Sequence, residues 1–562
     1  MSSHKILKVF PTDIHLQNTL SKELGISKII AQLLINRGIK SPAEADHFLN
    51  AKLKHLLDPF SFQDMHRAVE IIKKAIKNKE RVMVFGDYDV DGITSLAVLK
   101  DALSKMGADV VARLPHRIKE GYGLSKDILR ETKAKGVKVL VTVDCGISGH
   151  KEIAALRENN VEVIITDHHE PSGDELPNAS AIINPKVRAS GYGFRDLAGV
   201  GVAYKFAQGL TRSLLLEELD LVTLGTIADV VPLKGENRII VREGLTKFSH
   251  TKRPGIKALM ESSRLNNRKF SATSISYILG PRINASGRMG EAEVSLNLLM
   301  SQNEAEAQGL AKVIEAHNRT RQKIEGKIMQ EAEDLIDREV NFKDHKVIVL
   351  AKEDWHHGVL GIVASKLADR FYRPTIVISL DGAVCKGSGR SIKNFHLFHA
   401  LRDCKEFLNA FGGHAHAVGL LIDKKSIEKF KRSINSLAQE RLTLEDLLPS
   451  LEIDMEVALK DLTEDVIVEI ETLEPFGAEN PEPLFYTRGL KRKGEPLTLA
   501  RETLKFWVTD GNISQQVIAF GMAGLRDSLI EAKTIDLVYS PRIDTWNDSS
   551  SIILEAREIF FK

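Results

Sequence analysis

The sequence predicts an α/β protein in which a parallel-sheet domain is joined by long helices to a second α/β domain, with a C-terminal β-barrel. Between residues 81 and 166, apolar runs alternate with segments of helical periodicity, the pattern of βαβ units. Residues 291–340 contain no proline and are rich in Glu, Ala, Lys, Leu and Gln, which favours long helices. Beyond about residue 450, short β-prone runs separated by Gly, Asn, Asp and Ser indicate a small closed barrel.

Length and composition set the limits for this interpretation. A chain of 562 residues exceeds what one hydrophobic core organises, so three or more domains are expected. Its 78 Lys and Arg residues nearly balance 76 Asp and Glu residues, so net charge neither indicates nor excludes a nucleic-acid partner. The three cysteines form no close-spaced pair, and no apolar run approaches the ~20 residues of a spanning helix. A reduced, cytoplasmic protein without membrane insertion is expected.

The first predicted strand, RVMVF, runs directly into a turn that carries three carboxylates. Asp87, Asp89 and Asp91 occupy alternate positions of the stretch DYDVDG. Like charges this close repel one another, so the arrangement costs stability unless a cation lies among them. Asp and Gly are also common in ordinary solvated turns. The triad therefore predicts a divalent-metal site, with a polar turn as the alternative.

Polar residues also follow the next two predicted strands. Asp144 ends the stretch VKVLVTVD, and Asp167, His168 and His169 end VEVIITDHH. Because ligands gather beyond the carboxyl ends of parallel strands, these side chains are expected at the same sheet edge as the triad. Asp167 is placed to orient a neighbouring imidazole. Surface polarity is the alternative for the histidines.

Asp229 lies at the end of the apolar helical stretch LGTIADVVPL. A single Asp in such a place is also a common helix cap. Together with the strand-end residues it completes a mixed Asp and His ligand set, which suits manganese or magnesium better than structural zinc. Two such ions sharing a bridging carboxylate would clamp the attacking and leaving oxygens of a phosphoryl displacement. The predicted reaction is hydrolysis of a phosphate ester.

In this order, DYDVDG, VDCG, TDHH and ADVVPL resemble the successive motifs of the DHH phosphoesterase family. The later FGGHAHAVG resembles the glycine-rich motif of the DHH-associated second domain. With INASGRMG between them and a β-rich tail, the layout is similar to the family's bacterial single-strand-specific exonucleases. The resemblance implies a helical segment (1–50), a DHH catalytic domain (51–290), a helical connector (291–340), a DHH-associated substrate-binding domain (341–445) and an OB-like nucleic-acid-binding domain (446–562).

The resemblance also implies roles for seven catalytic residues. Asp89 and Asp91 would ligate one metal each, Asp144 would bridge the two, His168 and Asp229 would complete the second site, Asp87 would be a further ligand or lie close to one, and His169 would face the scissile phosphate or attacking water. No motif residue departs from the family pattern. A degenerate, scaffold-like relative would be expected to lack some of these ligands.

Glycine-rich and basic segments supply the predicted substrate contacts. By resemblance, Arg117 of LPHRIKEGYGL holds the terminal 5′ phosphate, since guanidinium binds phosphate as a bidentate fork. Arg288 is expected to contact phosphate from GPRINASGRMG, interpreted as a turn-rich segment. Ser388 and Arg390 of CKGSGRSI and His414 of GGHAHAVG are expected to face the metals, because glycine lets a backbone approach a phosphate closely. Solvated basic loops and tight turns are the alternatives.

The tail offers Phe506 and Trp507 as residues on which bases could stack, or as core aromatics. The resemblance implies a metal-dependent exonuclease that degrades single-stranded DNA from the 5′ end to mononucleotides, in recombination, mismatch repair and base-excision repair. Single-strand-binding protein and a helicase are the implied partners. The alternatives are a DHH phosphodiesterase acting on short oligoribonucleotides or cyclic dinucleotides, against which the β-rich tail argues, and an inactive DNA-binding scaffold.

Overall fold

The computed structural model describes residues 5–117, 119–171, 173, 175–265, 270–546 and 549–562. Contacts divide the chain into two compact units. The first unit comprises Leu57–Val231 and Gly244–Pro449, and the second comprises Lys5–Leu56, Pro232–Glu243 and Ser450–Lys562. The five-segment division made from the sequence remains a proposal.

The helices of the described residues, in chain order, are α1 (Ile14–Leu24), α2 (Lys28–Asn36), α3 (Pro42–Asn50), α4 (Met65–Lys77), α5 (Val90–Lys105), α6 (Ile128–Ala134), α7 (His150–Glu158), α8 (Gly199–Thr211), α9 (Leu219–Ala228), α10 (Gly235–Ser249), α11 (Pro254–Ser262), α12 (Ala272–Ser274), α13 (Gly280–Arg288), α14 (Ala292–Met300), α15 (Glu304–Glu339), α16 (Leu360–Phe371), α17 (Leu397–Asp403), α18 (Ile427–Arg441), α19 (Glu464–Glu471) and α20 (Arg526–Glu531).

The strands are β1 (Ile6–Val9), β2 (Arg81–Phe85), β3 (Val110–Arg113), β4 (Val137–Val143), β5 (Glu162–Thr166), β6 (Ala181–Ile183), β7 (Ile348–Lys352), β8 (Thr375–Ser379), β9 (Val384–Arg390), β10 (Leu408–Gly413), β11 (Ala417–Asp423), β12 (Ser450–Ile453), β13 (Met455–Glu456), β14 (Phe485–Leu499), β15 (Thr503–Thr509), β16 (Ser514–Ala519), β17 (Ile535–Trp546) and β18 (Ser549–Phe561).

The first unit is built around the predicted parallel sheet. Its five strands run in the order β3-β2-β4-β5-β6, and every neighbouring pair is parallel. Helices cover both faces, and β2, β4 and β5 are accordingly nearly continuous buried runs of mainly apolar residues, as a two-sided sheet requires. Because β2, β4 and β5 are neighbours, the polar residues that follow them lie at one edge. The predicted fold class is confirmed.

The predicted long connecting helices are present as α14 and the 36-residue α15. The interpretation of GPRINASGRMG as turn-rich was wrong, since residues 280–288 form helix α13. Proline suits the first turn of this helix, where its missing N–H costs nothing. Gly287 serves close packing there, because a Cβ would lie 2.4 Å from the carbonyl oxygen of Tyr88.

The second α/β domain, also within the first unit, has a mixed sheet in the order β10-β11-β9-β8-β7. The β7–β8 pair is parallel, and the other pairs are antiparallel. The glycines of CKGSGRS lie inside β9, where a Cβ on Gly389 would meet a Val418 methyl group at 2.8 Å. Packing between neighbouring strands, not a tight turn, therefore explains this glycine.

The second unit contains the predicted barrel. Strands β14, β15, β16, β18 and β17 follow one another, and β17 pairs back to β14, which closes the ring. The helices near the N-terminus share its hydrophobic core, since Leu20 and Leu33 belong to the same buried cluster as Phe485 and Tyr539. Strand β1 also pairs in parallel with β12. The sequence patterns did not predict this association of distant segments.

Among the residues that the structure describes, no helix combines the length and hydropathy needed to cross a bilayer. The three cysteines are free and buried.

Candidate metal centre and substrate-binding residues

The aspartate triad wraps around the start of α5. Asp89 caps this helix by accepting a hydrogen bond from the Gly92 amide at 3.1 Å. The side-chain oxygen of Asn284 accepts from the Val90 amide at 3.1 Å. Gly92 must be glycine, because a Cβ there would lie 2.5 Å from the Asp87 carbonyl oxygen. The turn is thus held in place by local contacts that satisfy the helix terminus.

Asp91 is fixed by a helix that begins more than a hundred residues later. Its two carboxylate oxygens accept hydrogen bonds from the Gly199 and Val200 amides, each at 2.7 Å. These amides form the positive N-terminus of α8, which favours an ionised carboxylate. A Cβ on Gly199 would lie 2.6 Å from Asp144 Oδ1, so this glycine lets α8 approach the acidic cluster.

His168 faces three carboxylates. Its Nε2 atom lies 3.1 Å from Asp144 Oδ1, 3.6 Å from Asp229 Oδ2 and 3.8 Å from Asp91 Oδ2. The other ring nitrogen, Nδ1, lies 3.1 Å from the Leu197 carbonyl oxygen. Because that carbonyl accepts only, we assign the proton to Nδ1. The Nε2 lone pair therefore points at the carboxylates, as in a metal-ligating histidine.

The acidic cluster divides into overlapping groups of possible ligands whose donor atoms lie within 4.8 Å of one another: Asp87, Asp89 and Asp144; Asp91, His168 and Asp229; and Asp144, His168 and His169. Asp144 belongs to both the first and the third group. Its Oδ1 also lies 3.1 Å from Nε2 of His168, a member of the second group. Asp144 adopts a left-handed backbone conformation, with φ of 59°. Such strain in a non-glycine residue is concentrated at functional sites.

The electrostatics of the cluster favour a bound cation. Burial, and then repulsion from Asp89, raises the pKa of Asp91 to about 7. The pKa values of Asp87, Asp144 and Asp229 are also raised well above the usual range, first by burial and then by neighbouring carboxylates. Burial lowers the pKa of His168 to about 3, so the imidazole is neutral. Ionised carboxylates at this density are stable only beside a positive charge.

Unsatisfied atoms show that the residues fit a divalent metal. Asp87 Oδ1, Asp144 Oδ1 and His168 Nε2 are buried and have no hydrogen-bond partner among the described residues. When the two carboxylates are ionised, all three atoms are acceptors, and no described side chain donates to them. Carboxylate oxygens with one imidazole are the ligands that suit Mn²⁺ and Mg²⁺. The predicted ligands are therefore brought together in a chemically suitable set.

Asp167 orients His169 and is not itself a predicted ligand. Its oxygens accept from the amides of His168 at 2.7 Å and Ile147 at 2.9 Å, and from His169 Nδ1 at 2.8 Å. Burial alone would raise the pKa of Asp167, but the hydrogen bond and charge of His169, with His168 and the Ile147 amide, together lower it. Burial alone would lower the pKa of His169, but the contact with Asp167 and the charges of Asp89 and Asp91 together raise it. His169 is thus a partly exposed imidazole that favours its protonated form.

Tyr122 is a site residue that the sequence reasoning missed. Its hydroxyl lies 3.1 Å from His169 Nδ1 and donates to the Asp144 carbonyl oxygen at 3.3 Å. Burial raises the pKa of Tyr122 well above its usual range, and Asp167 raises it further, so the phenol stays protonated. Its position inside the Gly-Tyr-Gly turn was the available sequence signal. Tyr122 links the loop after β3 to the catalytic edge.

The predicted phosphate-binding arginines gather in one place. The Arg117 guanidinium lies 4.6 Å from the Tyr88 ring centre. Arg288 donates to the Gly358 carbonyl at 2.9 Å, and Arg390 donates to the Gly389 carbonyl at 2.8 Å. Burial, and then repulsion from Arg117, Arg321 and Arg390, lowers the pKa of Arg288 to about 9. The described contacts leave excess positive charge suited to an anion.

Two other arginines of the same segments are paired with carboxylates. Arg113 contacts Glu120 and Glu131, and Arg282 contacts Glu315 at 2.9 Å. These ion pairs neutralise their charge. The preference for Arg117 and Arg288 as phosphate contacts therefore agrees with the electrostatics, although it remains a prediction.

Ser388 and His414 lie beside Arg390. The Ser388 hydroxyl is 3.5 Å from an Arg390 nitrogen. Burial lowers the pKa of His414, with further repulsion from His416, Arg390 and His169. The influence of His169 places the exposed His414 on the side of the second α/β domain that faces the acidic cluster.

The two aromatic residues predicted as possible base-stacking residues have opposite environments in the barrel. Phe506 is fully buried in the core of the second unit. Trp507, the next residue, is 44% exposed and lies opposite Lys493 on the neighbouring strand. An exposed indole beside a cation is suited to stacking on a base, whereas Phe506 is a core residue.

Three family models match the chain. The DHH family N-terminal domain matches residues 81–226, the DHHA1 domain matches residues 344–440, and the RecJ OB domain matches residues 453–558. The first match covers the parallel sheet, the second covers the mixed sheet, and the third covers the barrel.

Curated relatives and solved structures match most of the chain. It is 38% identical to the single-stranded-DNA-specific exonuclease RecJ of Bacillus subtilis, over 94% of this chain and 67% of the relative. It is 36% identical to RecJ of Escherichia coli, over 81% of this chain and 82% of the relative. The crystal structure of Thermus thermophilus RecJ with Mn²⁺ superposes with a TM-score of 0.86 at 28% identity, covering 100% of this chain and 80% of that chain. The Mg²⁺ complex gives 0.79 at 26% identity, covering 99% and 78%.

Proposed function

This chain belongs to the RecJ family of DHH phosphoesterases, and from that premise we propose that it is a metal-dependent exonuclease specific for single-stranded DNA. It removes mononucleotides successively from the 5′ end. The observation that carries the proposal is the position of Asp144, whose buried, unsatisfied oxygen lies where two groups of possible metal ligands meet. A carboxylate shared in this way suits a bridge between two divalent ions.

Mn²⁺ or Mg²⁺ bound at both positions would lower the pKa of water and offset the negative charge of the reacting phosphate. In the proposed arrangement, Asp89 with Asp87 holds one ion, and Asp91, His168 and Asp229 hold the other, while Asp144 contacts both. The Leu197 carbonyl keeps the His168 lone pair directed at the cluster. The start of α8 holds Asp91 in position, and its two amides partly offset the effects that raise the pKa of this carboxyl.

His169 is the proposed contact to the scissile phosphate or the attacking water. Its Nδ1 is committed to Asp167 at 2.8 Å, which leaves Nε2 free to point toward the substrate. The ion pair with Asp167 favours a protonated imidazole, so His169 can donate a hydrogen bond or a proton to a phosphate oxygen. Tyr122 restrains the same ring from the loop after β3.

The arginine group is the proposed site for the 5′ terminal phosphate. Arg117, Arg288 and Arg390 supply guanidinium donors, and Ser388 and His414 add neutral donors beside them. A phosphate held there positions the adjacent phosphodiester at the metals and so determines the polarity of degradation. Trp507 on the barrel is the proposed stacking residue for bases further along the strand.

We further propose the cellular roles that such an activity serves: recombination, mismatch repair and base-excision repair in the cytoplasm, with a helicase and single-strand-binding protein as partners. A helicase would supply the unwound strand that the enzyme requires. These roles rest on family membership and on the single-strand specificity of the relatives.

The test is degradation of a single-stranded oligonucleotide labelled separately at its two ends, with Mn²⁺ and with chelator, by the wild type and Asp144→Asn. Stepwise shortening from the 5′ end is expected, with loss of activity in the variant and on chelation. Arg282→Gln is the control, because Arg282 lies near the site but is paired with Glu315. Cleavage that is indifferent to Asp144, or that begins at the 3′ end, would contradict the proposal.

A further inference from the structure

The second unit contains a cavity of about 470 Å³ between α3 and the start of α10. Its volume falls within the range of small-molecule sites. Every lining residue belongs to this unit, and none has a role in the function proposed above.

The charge that lines the cavity is one-sided. Lys234, Arg238 and Arg242 contribute cations, and the single carboxylate is that of Glu44. Glu44 is occupied by the start of α3, where it accepts from the Lys40 and Ser41 amides, each at 3.1 Å. Lys234 is paired with Glu479. The two arginines therefore determine the charge that the cavity presents.

Arg238 is 3% exposed and is held by backbone carbonyls. It donates to the carbonyl oxygens of Phe48 at 2.9 Å, Leu473 at 2.8 Å and Thr472 at 3.1 Å. These acceptors are dipoles and do not neutralise the guanidinium. Burial, and then repulsion from Arg242 and Arg37, lowers the pKa of Arg238 to about 9. Three of its five N–H donors are used, which leaves two for an anion.

Arg242 lies one helical turn further along α10 and donates to the Leu49 carbonyl. Its charge adds to that of Arg238, and the start of α10 adds the positive end of a helix dipole. A buried charge without a counter-charge is costly, so an anion in the cavity would stabilise the unit.

Apart from the exposed His47, the remaining walls are apolar. Ile39, Phe48 and Ile239 line the cavity together with small alanine side chains. The Phe48 ring packs under the Arg238 guanidinium, 3.8 Å from its centre. An occupant must therefore combine a compact anionic group with a flat or apolar body, which inorganic phosphate alone does not offer.

We propose that this cavity binds a nucleoside monophosphate, with its phosphate at Arg238 and Arg242 and its base between Ile39 and Ile239. A phosphate matches the guanidinium fork, and the apolar walls suit a base. The choice of a mononucleotide as occupant rests on the proposed function, because such an exonuclease releases this product. The cavity and its charge do not depend on that function.

The test is titration of the full-length protein with thymidine monophosphate in the presence of chelator, followed by calorimetry. An Arg117→Gln, Arg390→Gln background removes two proposed phosphate contacts of the catalytic unit, so that remaining binding reports on the cavity. Saturable binding is expected in this background, at least tenfold tighter than for thymidine or inorganic phosphate. Equal affinity for all three compounds, or no binding, would overturn the proposal.

Two variants localise the binding. Arg242→Gln should weaken it at least tenfold, and Ala43→Phe should abolish it by filling the cavity from an exposed helical position. Arg432→Gln, an exposed arginine on α18, is the matched control. Because Arg242 also bonds to Leu49, Ala43→Phe decides the outcome if Arg242→Gln unfolds. If Ala43→Phe bound thymidine monophosphate as tightly as its parent, the proposed site would be refuted. The exonuclease activity of Ala43→Phe is measured separately and tests the proposed function.

Discussion

His168 Nε2 and Asp144 Oδ1 lie 3.1 Å apart, and both atoms are buried without a hydrogen-bond partner among the described residues. The Leu197 carbonyl holds the imidazole proton on the opposite nitrogen, and the low pKa of His168 prevents a second protonation. When Asp144 is ionised, two lone pairs thus face one another in a buried site. Without a metal, Asp144 must therefore either take up a proton or face this repulsion, and a cation bound by both atoms would remove the need for either.

Asp144→Asn should stabilise the metal-free protein while abolishing its activity. The amide can donate to His168 Nε2 without taking up a proton, a gain of about 1 kcal/mol at a pH where Asp144 is ionised. The expected results are a higher melting temperature in chelator, little further rise with Mn²⁺, and activity reduced by about 100-fold or more. A variant that melts below the wild type in chelator, yet gains normal stability from Mn²⁺, would contradict this account of the site.

Metal affinity should rise steeply with pH between about 6 and 8. The folded-state pKa of Asp91 is about 7, against an ordinary value of 3.8, so the metal must displace a proton at pH 6. Below that pKa, each displaced proton gives about a tenfold gain in apparent affinity per pH unit. Calorimetry in buffers of different ionisation enthalpy would measure the released protons, and an affinity that is constant from pH 6 to 8 would refute the prediction.

The raised pKa of Asp91 also determines whether the stability of the metal-free protein rises or falls with pH. Because the folded state holds the Asp91 proton more tightly than the unfolded state, the contribution of this residue is present below about pH 3.8 and is lost as pH rises through about 7. His168, with a folded pKa of about 3, acts in the opposite direction. A His168→Asn variant removes that opposing effect, so its melting temperature in chelator should fall more steeply with pH than that of the wild type.

His169→Gln should lower kcat by about 100-fold, the size expected for losing a proton donor at the reacting phosphate. Metal-induced stabilisation should remain, because His168 and the carboxylates are unchanged. Tyr122→Phe removes only the hydroxyl that contacts His169 and Asp144 and should lower kcat by about tenfold. Full activity of His169→Gln at saturating substrate would exclude His169 from the reaction.

Arg288→Gln should reduce the preference for 5′-phosphorylated over 5′-hydroxyl oligonucleotides. A charge-assisted contact contributes about 1.5–3 kcal/mol, so KM for the phosphorylated substrate should rise by about 10- to 100-fold. Arg282 lies on the same helix but is paired with Glu315, so it is not one of the proposed phosphate-binding arginines. Arg282→Gln should therefore leave the preference for 5′-phosphorylated substrate unchanged. Equal effects of both substitutions would indicate damage to α13 instead.

The sequence predicts those residues of the site that directly follow a predicted strand. Asp87, Asp144 and His168 each follow a buried strand, so parallel pairing brings them together. The amides of Gly199 and Val200 that hold Asp91 could not be predicted, because they come from a helix 108 residues later with no distinctive polar residue. Helix α13 was missed because glycines that serve close packing, such as Gly287, also mark turns.

The barrel provides the last prediction, through two adjacent aromatic residues with opposite environments. Trp507→Ala should weaken single-strand binding by about 1–3 kcal/mol, the value of one base stack, with little change in melting temperature because the indole is 44% exposed. Phe506→Ala should instead destabilise the second unit by about 3–5 kcal/mol, since its ring is buried in the core. Fluorescence anisotropy with a labelled oligonucleotide and thermal unfolding separate the two effects. If Trp507→Ala bound the oligonucleotide as tightly as the wild type, stacking on this face of the barrel would be excluded, and the strand would have to be held by the catalytic unit alone.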